Sequence, residues 1–469
     1  MDWDSFARWG NRIVDMARDY RTSLRDKPVR AQTAPGAVYN ALPATPPDAP
    51  EPMEQILEDF QRDVMPGLTH WQHPRFFAYF PANAAPPSVL AEMLVSALAP
   101  QCMLWQTSPA ATEMETRMMD WLRQAIGLPD GWHGTIQDSA SSATLAAVLT
   151  MRERTLNWTG NSAGLPGQAP LRVYSSAEVH SSIDRAIRIA GLGQDNLVRI
   201  AIKGAWRGMD PDALDAAITA DKAAGLQPAG VILCVGATSV GATDPVADCI
   251  AVARKHDLYV HVDAAWAGAA MICPEFRHFW TGVDGADSVV FNPHKWLGAN
   301  FDCAAHFLRD PEPLVKTLAI QPAFLKTHGV SGIVDYSEWS VPLGRRFRAL
   351  KLWFLIRAYG LDGLREVIRN HVTWAEELHN AMEADRDFEI ITRPMWSLFS
   401  FRYAPDGAED RDALNLRLIE AVNADGRVYL TQTNFEGQFV IRFQAGSFET
   451  TREDVMMTLD VVREVAGRL

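Results

Sequence analysis

Lys295 stands in Asn292-Pro293-His294-Lys295-Trp296, downstream of a strand-like run, Leu258-Tyr259-Val260-His261-Val262, that ends in Asp263. A lysine amine can condense with an aldehyde, and an aspartate at a strand end can keep a heteroaromatic nitrogen protonated. Together they meet the needs of pyridoxal 5'-phosphate chemistry, in which a cofactor held through its aldehyde draws electrons from a substrate. Ser288-Val289-Val290-Phe291 reads as a buried strand leading into this turn. A lysine there is costly unless it is bonded or paired. A buried Asp263 carboxylate is costly too, and a protonated ring nitrogen beside it would offset both charges.

A phosphorylated cofactor also needs an anion cradle. Thr135-Ile136-Gln137-Asp138-Ser139-Ala140-Ser141-Ser142-Ala143-Thr144 runs from an apolar stretch into the helix Leu145-Ala146-Ala147-Val148. Small hydroxyl residues at a helix start offer side-chain and backbone donors to a dianion. They would serve equally as an ordinary N-cap. Asp138 is the awkward member, since a carboxylate there would repel phosphate unless it points away or caps. His180, in Tyr174-Ser175-Ser176-Ala177-Glu178-Val179-His180, falls where a strand gives way to a helix. That is the sheet edge at which α/β sites form, and an imidazole there could stack on a planar ring. His256 and His261 have no third ligand at a suitable spacing, so no metal site is expected.

These residues must be carried by an α/β frame. Helix-like runs near 88–98, 110–126, 141–156, 179–191, 211–224 and 244–257 alternate with β-rich runs at 171–175, 197–202, 229–235, 258–262, 287–291 and 304–308. Such alternation indicates a largely parallel sheet covered by helices. Beyond about residue 345 come a long helical run to 384 and two strand-like runs, 398–403 and 438–443. In the first, Phe399, Phe401 and Tyr403 alternate with Ser400 and Arg402, the pattern of a half-buried strand. Near the N-terminus, Phe6, Trp9, Ile13, Met16, Tyr20 and Leu24 make an amphipathic helix, followed by a Pro/Ala-rich stretch. A helix on such a tether is expected to pack against another subunit. The divisions drawn are 1–85, 86–350 and 351–469.

With 469 residues, 48% hydrophobic and 22% charged, the chain reads as globular with two or three domains. A net charge of −13 argues against a nucleic-acid surface. No basic n-region and h-region open the chain, and no apolar run nears the ~18 residues of a membrane span. The five cysteines are scattered without a CxxC, which reads as reduced thiols and a cytoplasmic location.

The motifs together resemble the aromatic L-amino-acid decarboxylase family, the group II pyridoxal phosphate decarboxylases of fold type I. The resemblance runs through His70-Trp71, Phe76-Phe77-Ala78-Tyr79-Phe80-Pro81, Ser108-Pro109-Ala110, Met119-Asp120-Trp121-Leu122, His261 to Gly268, Cys273-Pro274-Glu275-Phe276-Arg277-His278, the Lys295 motif and Pro342-Leu343-Gly344-Arg345-Arg346-Phe347-Arg348. It implies an α/β fold with a mostly parallel, seven-stranded sheet in a large domain, a helical N-terminal segment and a small α+β C-terminal domain. It implies that Lys295 bonds the cofactor, Asp263 faces the ring nitrogen and His180 stacks on the ring. Ser139, Ala140, Ser141 and Asn292 would hold the phosphate, with Thr238 and Ala265 beside the cofactor. His294 would lie near the substrate carboxylate. Trp71, Tyr79, Phe80, Pro81, Ala82, Trp266 and Gly344 would line the substrate side. Met103 would enter from the partner in a homodimer with shared active sites.

Two departures from the family pattern carry information. Where the family often places a hydroxyl after Phe-Pro, this chain has Ala82, and Met103 stands where an aromatic is common. A less polar pocket suits a phenylalanine-like or indolic side chain better than a catechol, because a buried substrate hydroxyl left without a partner costs ~1–3 kcal/mol. The second departure is in the loop where family decarboxylases carry Tyr-Leu-Lys. Here the residues are Phe324-Leu325-Lys326. The tyrosine hydroxyl helps protonate the substrate α-carbon once CO2 has left, and phenylalanine has no proton to give. Without that donor, O2 can compete and the product becomes an aldehyde with ammonia and hydrogen peroxide, as in the family's aldehyde synthases. The alternative is an ordinary decarboxylase that takes its proton from Tyr336, His328 or water and releases an amine. An aminotransferase on the same fold would instead require a keto-acid acceptor.

Overall fold

The structure is a computed structural model, and it describes residues 1–320 and 332–469. Contacts divide the chain into two compact units, residues 82–369 and residues 1–81 with 370–469.

The larger unit is built on a seven-stranded sheet. In chain order the strands are β1 His133–Gln137, β2 Leu171–Ser176, β3 Leu197–Ile200, β4 Gln227–Cys234, β5 Tyr259–Asp263, β6 Ser288–Phe291 and β7 Ala304–Leu308. Their order across the sheet is β1-β7-β6-β5-β4-β2-β3. All neighbours are parallel except those of β7, which runs antiparallel to both β1 and β6. β5, β6 and β7 are buried along their whole length, which is why they read as mostly apolar runs, interrupted by His261, Asp263, Ser288 and His306, rather than as alternating ones.

The alternation of elements anticipates this sheet except at β1. That strand, His133-Gly134-Thr135-Ile136-Gln137, lacks a β-branched apolar run. Its polar groups are satisfied by the tertiary structure: the buried Glu115 carboxylate accepts from the Thr135 hydroxyl (3.1 Å) and the Ile136 N–H (2.8 Å).

The helix Ala140–Thr155 lies across the sheet with residues buried on several sides, so it carries no clean apolar stripe. It comes close because Gly230 on β4 has no side chain. A Cβ there would sit 2.4 Å from the Met151 sulfur.

In the smaller unit, a four-stranded antiparallel sheet (β8 Phe388–Met395, β9 Leu398–Tyr403, β10 Thr431–Phe435, β11 Gln438–Gln444) has the order β8-β9-β11-β10. Helices Arg411–Asp425 and Arg452–Ala466 supply Leu418, Val422, Val455, Leu459 and Val462 to its core. β9 is more buried than its alternation suggests. It is a central strand, and Ser400 and Arg402 are enclosed as well. The long helix, Ala349–Glu383, is interrupted at Gly360, whose φ of 64° breaks the helical path.

The sequence-based lines at 85 and 350 separate N- and C-terminal parts that the contacts place in one unit. The bonds that join those parts are backbone ones: the Val29 N–H donates to Gly426 O (2.8 Å), Phe77 N–H to Tyr429 O (3.0 Å) and Gln444 N–H to Phe77 O (3.2 Å). The three-part division remains a proposal about how the chain folds.

The first helix, Trp3–Thr22, is capped by Asp2, which accepts from the Ser5 N–H at 2.7 Å, and it buries no residue. Trp3, Phe6, Ile13 and Val14 fall on one side of it and are exposed. No described helix is long and apolar enough to cross a membrane. All five cysteines are buried and unbridged.

β5 and β7 carry two fully buried histidines, His261 and His306. His261 is hydrogen-bonded to Ser288 (2.8 Å) and Thr144 (3.3 Å). Neither ring nitrogen of His306 has a partner among the described residues. Burial holds His306 down to about 3, so it is neutral in the folded protein. Such a group contributes stability that is complete above the unfolded pKa of ~6.5 and is lost as pH falls from there toward 3. A His306→Phe protein should therefore match the wild type in thermal unfolding at pH 8. At pH 5 it should exceed the wild type by about 2 kcal/mol. A lower melting temperature at pH 8 would show that the ring is hydrogen-bonded after all.

Candidate active site

Five of the parallel strands run the same way, and the segments leaving their carboxyl ends carry the chemistry-bearing residues. β2 leads to His180, β4 to Thr238, β5 ends at Asp263 and leads to Ala265, and β6 leads to Asn292, His294 and Lys295. β1, which points in the same direction, leads to Ser139. This edge of an open α/β sheet is where ligands are held.

The carboxylate of Asp263 is nearly inaccessible to solvent and accepts from the Ala265 N–H at 3.0 Å. Burial pushes its carboxyl above the ordinary range, while the charge of Lys295, the Ala265 N–H and His180 all act in the opposite direction. Asp263, Lys295 and His180 are thus within electrostatic reach of one another. The desolvation still exceeds what the chain's own cations offset, so the site suits one more positive charge against Asp263. His180 is fixed by its neighbour: its Nδ1 accepts from the Ser182 N–H (3.1 Å) and lies 2.8 Å from the Ser182 hydroxyl. The residue remains exposed to solvent. Burial holds the imidazole below its ordinary pKa, with Asp263 raising it and Lys295 lowering it.

Ser139 is the N-cap of the helix Ala140–Thr155, accepting from the Ser142 N–H at 3.2 Å. Ala140 packs with Val290 of β6 and with Ala265, which places the helix N-terminus beside the Asp263–Ala265 turn. The N–H groups of Ala140 and Ser141 have no acceptor inside the helix and suit a dianion. Asp138 accepts from the Ser139 hydroxyl at 3.4 Å. Asn292 bonds Ala265 O through its N–H (2.8 Å), and its buried side-chain oxygen has no partner among the described residues. Thr238 sits on the tight loop between Gly236 and Ala242.

His294 Nδ1 accepts from the Cys303 N–H at 2.8 Å, which leaves the proton on Nε2. Burial and the neighbouring Lys295 hold this imidazole down to about 3, so it is a neutral donor. Asn83 secures the same turn: its N–H donates to His294 O (3.1 Å) and its Nδ2 to Lys295 O (2.5 Å). Nothing in the sequence singled out Asn83 except its place after Phe80-Pro81-Ala82.

The substrate-side residues are less gathered. Trp266 is fully buried and stacked on Trp296 (centroids 4.8 Å apart), so it backs the site from the core and presents no open wall in this chain. Met103 and Gly344 lie on adjoining segments joined by Cys102 N–H to Arg345 O (3.0 Å). Ala82 is half-buried beside Asn83.

In the other unit, Trp71 stacks on Tyr79 (5.8 Å), both largely exposed, and Tyr429 meets Tyr79 edge-on at 6.0 Å. Arg442 donates to Tyr79 O (2.5 Å) and covers the Phe80 ring at 4.8 Å. Pro81 is buried against Gly446. A single arginine inside the apolar strand β11 was the available signal for Arg442.

Phe324, Lys326 and His328 lie outside the described residues. Tyr336 is described: its ring is buried and its hydroxyl is 2.8 Å from Thr116 Oγ1. His256 and His261 are far apart in role, the first paired with Asp215 at 2.7 Å and the second inside the sheet.

A family model described as the pyridoxal-dependent decarboxylase conserved domain matches residues 35–404. The chain belongs to this family. Among similar proteins, tyrosine decarboxylase 1 of Narcissus pseudonarcissus is 37% identical over 100% of this chain and 94% of its own length. Phenylacetaldehyde synthase of Arabidopsis thaliana is also 37% identical, over 100% of this chain and 97% of its own length. The crystal structure of Oryza sativa TDC with pyridoxal phosphate and tryptamine superposes with a TM-score of 0.96 at 35% identity, covering 100% of this chain and 99% of that one. The chain is a pyridoxal phosphate-dependent carboxy-lyase of the aromatic L-amino-acid decarboxylase group.

The residues present fit the cofactor. A buried carboxylate raised by desolvation suits a ring N–H, an exposed imidazole lies within its electrostatic reach, and a helix N-terminus with free N–H groups suits the phosphate.

Proposed function

We propose that this decarboxylase acts on an aromatic L-amino acid, preferably one with a phenylalanine-like side chain, and couples loss of CO2 to oxidation by O2. Amino acid, O2 and water would give an arylacetaldehyde, CO2, ammonia and hydrogen peroxide. The electron pair left on the substrate α-carbon when CO2 departs passes to O2, giving peroxide, and water hydrolyses the resulting C=N bond, releasing ammonia and supplying the aldehyde oxygen. The observation that carries this reading is Phe324 at the loop position where the family's decarboxylases have tyrosine. The buried, Thr116-bonded hydroxyl of Tyr336 supports it, because a side chain so enclosed is a poor replacement donor. Relatives named as decarboxylase and as aldehyde synthase match equally well, so overall identity favours neither outcome.

Bound pyridoxal phosphate supplies the electron sink for the pair left on the substrate α-carbon when CO2 departs. Lys295 would hold its aldehyde carbon, and Asp263 would keep a proton on its ring nitrogen. His180 would stack on the ring, with Thr238 and Ala265 beside the cofactor. Ser139, Ala140, Ser141 and Asn292 hold the phosphate. The Nε2–H of His294 is offered to the substrate carboxylate. Trp71, Tyr79, Phe80, Pro81, Ala82 and Gly344 are substrate-side residues, with Met103 reaching the partner's site and Trp266 supporting from behind.

A panel of L-amino acids without any keto acid, followed for CO2, amine, aldehyde, peroxide and O2 uptake together, tests this reading. Stoichiometric amine with no peroxide would remove the oxidative half and leave an amine-forming decarboxylase.

The exposed side of the helix Trp3–Thr22 supports a homodimer, since burying each large apolar side chain is worth about 1.5–3 kcal/mol. Changing Trp3, Phe6 and Ile13 to serine should leave the circular dichroism spectrum intact and shift the protein from dimer to monomer in light scattering. An unchanged mass would place the interface elsewhere.

A further inference from the structure

The tautomer of His294 depends on the Cys303 N–H, and Cys303 closes a short turn that begins at Asn300. Two helices clamp that turn. From the helix Pro86–Leu98, the Ser88 hydroxyl donates to Asn300 Oδ1 (2.6 Å) and accepts from the Asn300 N–H (2.8 Å). From the helix Ala349–Glu383, the Lys351 ammonium donates to the carbonyl oxygens of both Asn300 and Asp302, each at 3.3 Å. Arg348, just before that helix, takes the Asp302 carboxylate at 2.8 Å.

Lys351 has almost no accessible surface, a rare condition for a lysine unless it is paired. Its partner is Glu92, one helical turn beyond Ser88, at 2.7 Å. Burial lowers this ammonium to about 8, and the opposing charge of Asp302 helps retain the proton. A buried cation bridging two carbonyls that flank a single peptide fixes how that peptide faces. The next N–H in the chain is the one that selects the His294 tautomer.

We propose that Lys351, held by Glu92, is a positioning residue for His294. By fixing the Asn300–Cys303 turn it keeps the His294 proton on Nε2 and aims it. This inference rests on the reading of His294 as the donor to the substrate carboxylate.

A double-mutant cycle on the cofactor-loaded enzyme tests it. Lys351→Met should lower kcat/KM about tenfold, the size of one positioned hydrogen bond, with the cofactor absorbance retained. In a His294→Gln background the same change should cost nothing further. Lys351→Arg, which keeps the cation, should recover most of the loss. An equal loss in both backgrounds would overturn the inference while leaving His294's role standing. A His294→Gln enzyme with wild-type kcat/KM would overturn both. Should Lys351→Met fail to fold, Glu92→Gln in the same two backgrounds should show the same non-additivity, and additive losses would likewise overturn the proposal.

Discussion

An Asp263→Asn enzyme is expected to keep its cofactor and lose about 10²–10³-fold in kcat. Lys295 and the helix N-terminus at Ser139 would still hold the cofactor, and an asparagine oxygen can still accept from the Ala265 N–H at this position. What disappears is the buried negative charge. Removing one partner of a buried charge pair costs about 3–5 kcal/mol. Each ~1.4 kcal/mol of that loss appearing in the barrier is tenfold in rate. The folded site is already short of positive charge, since burial outweighs Lys295 and His180 in setting the Asp263 carboxyl. The variant should therefore fold at least as stably as the wild type without cofactor, while its turnover falls. Comparing kcat with the cofactor absorbance of the same preparation checks this. A variant with wild-type kcat would show that the ring nitrogen's proton does not depend on Asp263.

A Phe324→Tyr enzyme is expected to move its product from aldehyde toward amine. A positioned general acid is worth ~10²–10⁴-fold in the protonation step. Even the lower bound would let protonation of the α-carbon outrun its reaction with O2. The change adds one hydroxyl and leaves every described site residue untouched, so CO2 release should continue. The measurement is the ratio of amine to aldehyde with peroxide counted in the same reaction. An unchanged ratio would mean that residue 324 does not supply the proton and that the proposed basis of aldehyde formation is wrong.

The residues brought together at the carboxyl edge of the sheet were legible because each lies in a short local motif with its own chemical logic. Lys295 follows a buried strand, Asp263 ends one, and Ser139 starts a helix. Strands β4 to β7 were legible for a related reason: strands covered on both faces are largely apolar, while β2 and β3, which carry Arg172 and Arg199, were marked by the alternation of elements. β1 was not, because its polar groups are satisfied by Glu115, which lies on another element. Asn83, Lys351 and Arg442 were equally invisible. A buried polar side chain is identified by the group that pairs with it, and those partners are far away in the sequence: Lys295 O, the Asn300–Cys303 turn and Tyr79 O. Trp266 shows the converse. Its place in a family motif suggested a pocket wall, whereas packing on Trp296 encloses it.

From its amino-acid order alone this protein declares its family and its cofactor, and it offers candidates for holding that cofactor, because those depend on residue types set at strand and helix ends. The folded chain alone decided which charges meet. Burial leaves Asp263 with a deficit of positive charge, and the Cys303 N–H chooses the His294 tautomer. Both are consequences of desolvation and of hydrogen bonds between groups distant along the chain, which no local pattern can encode.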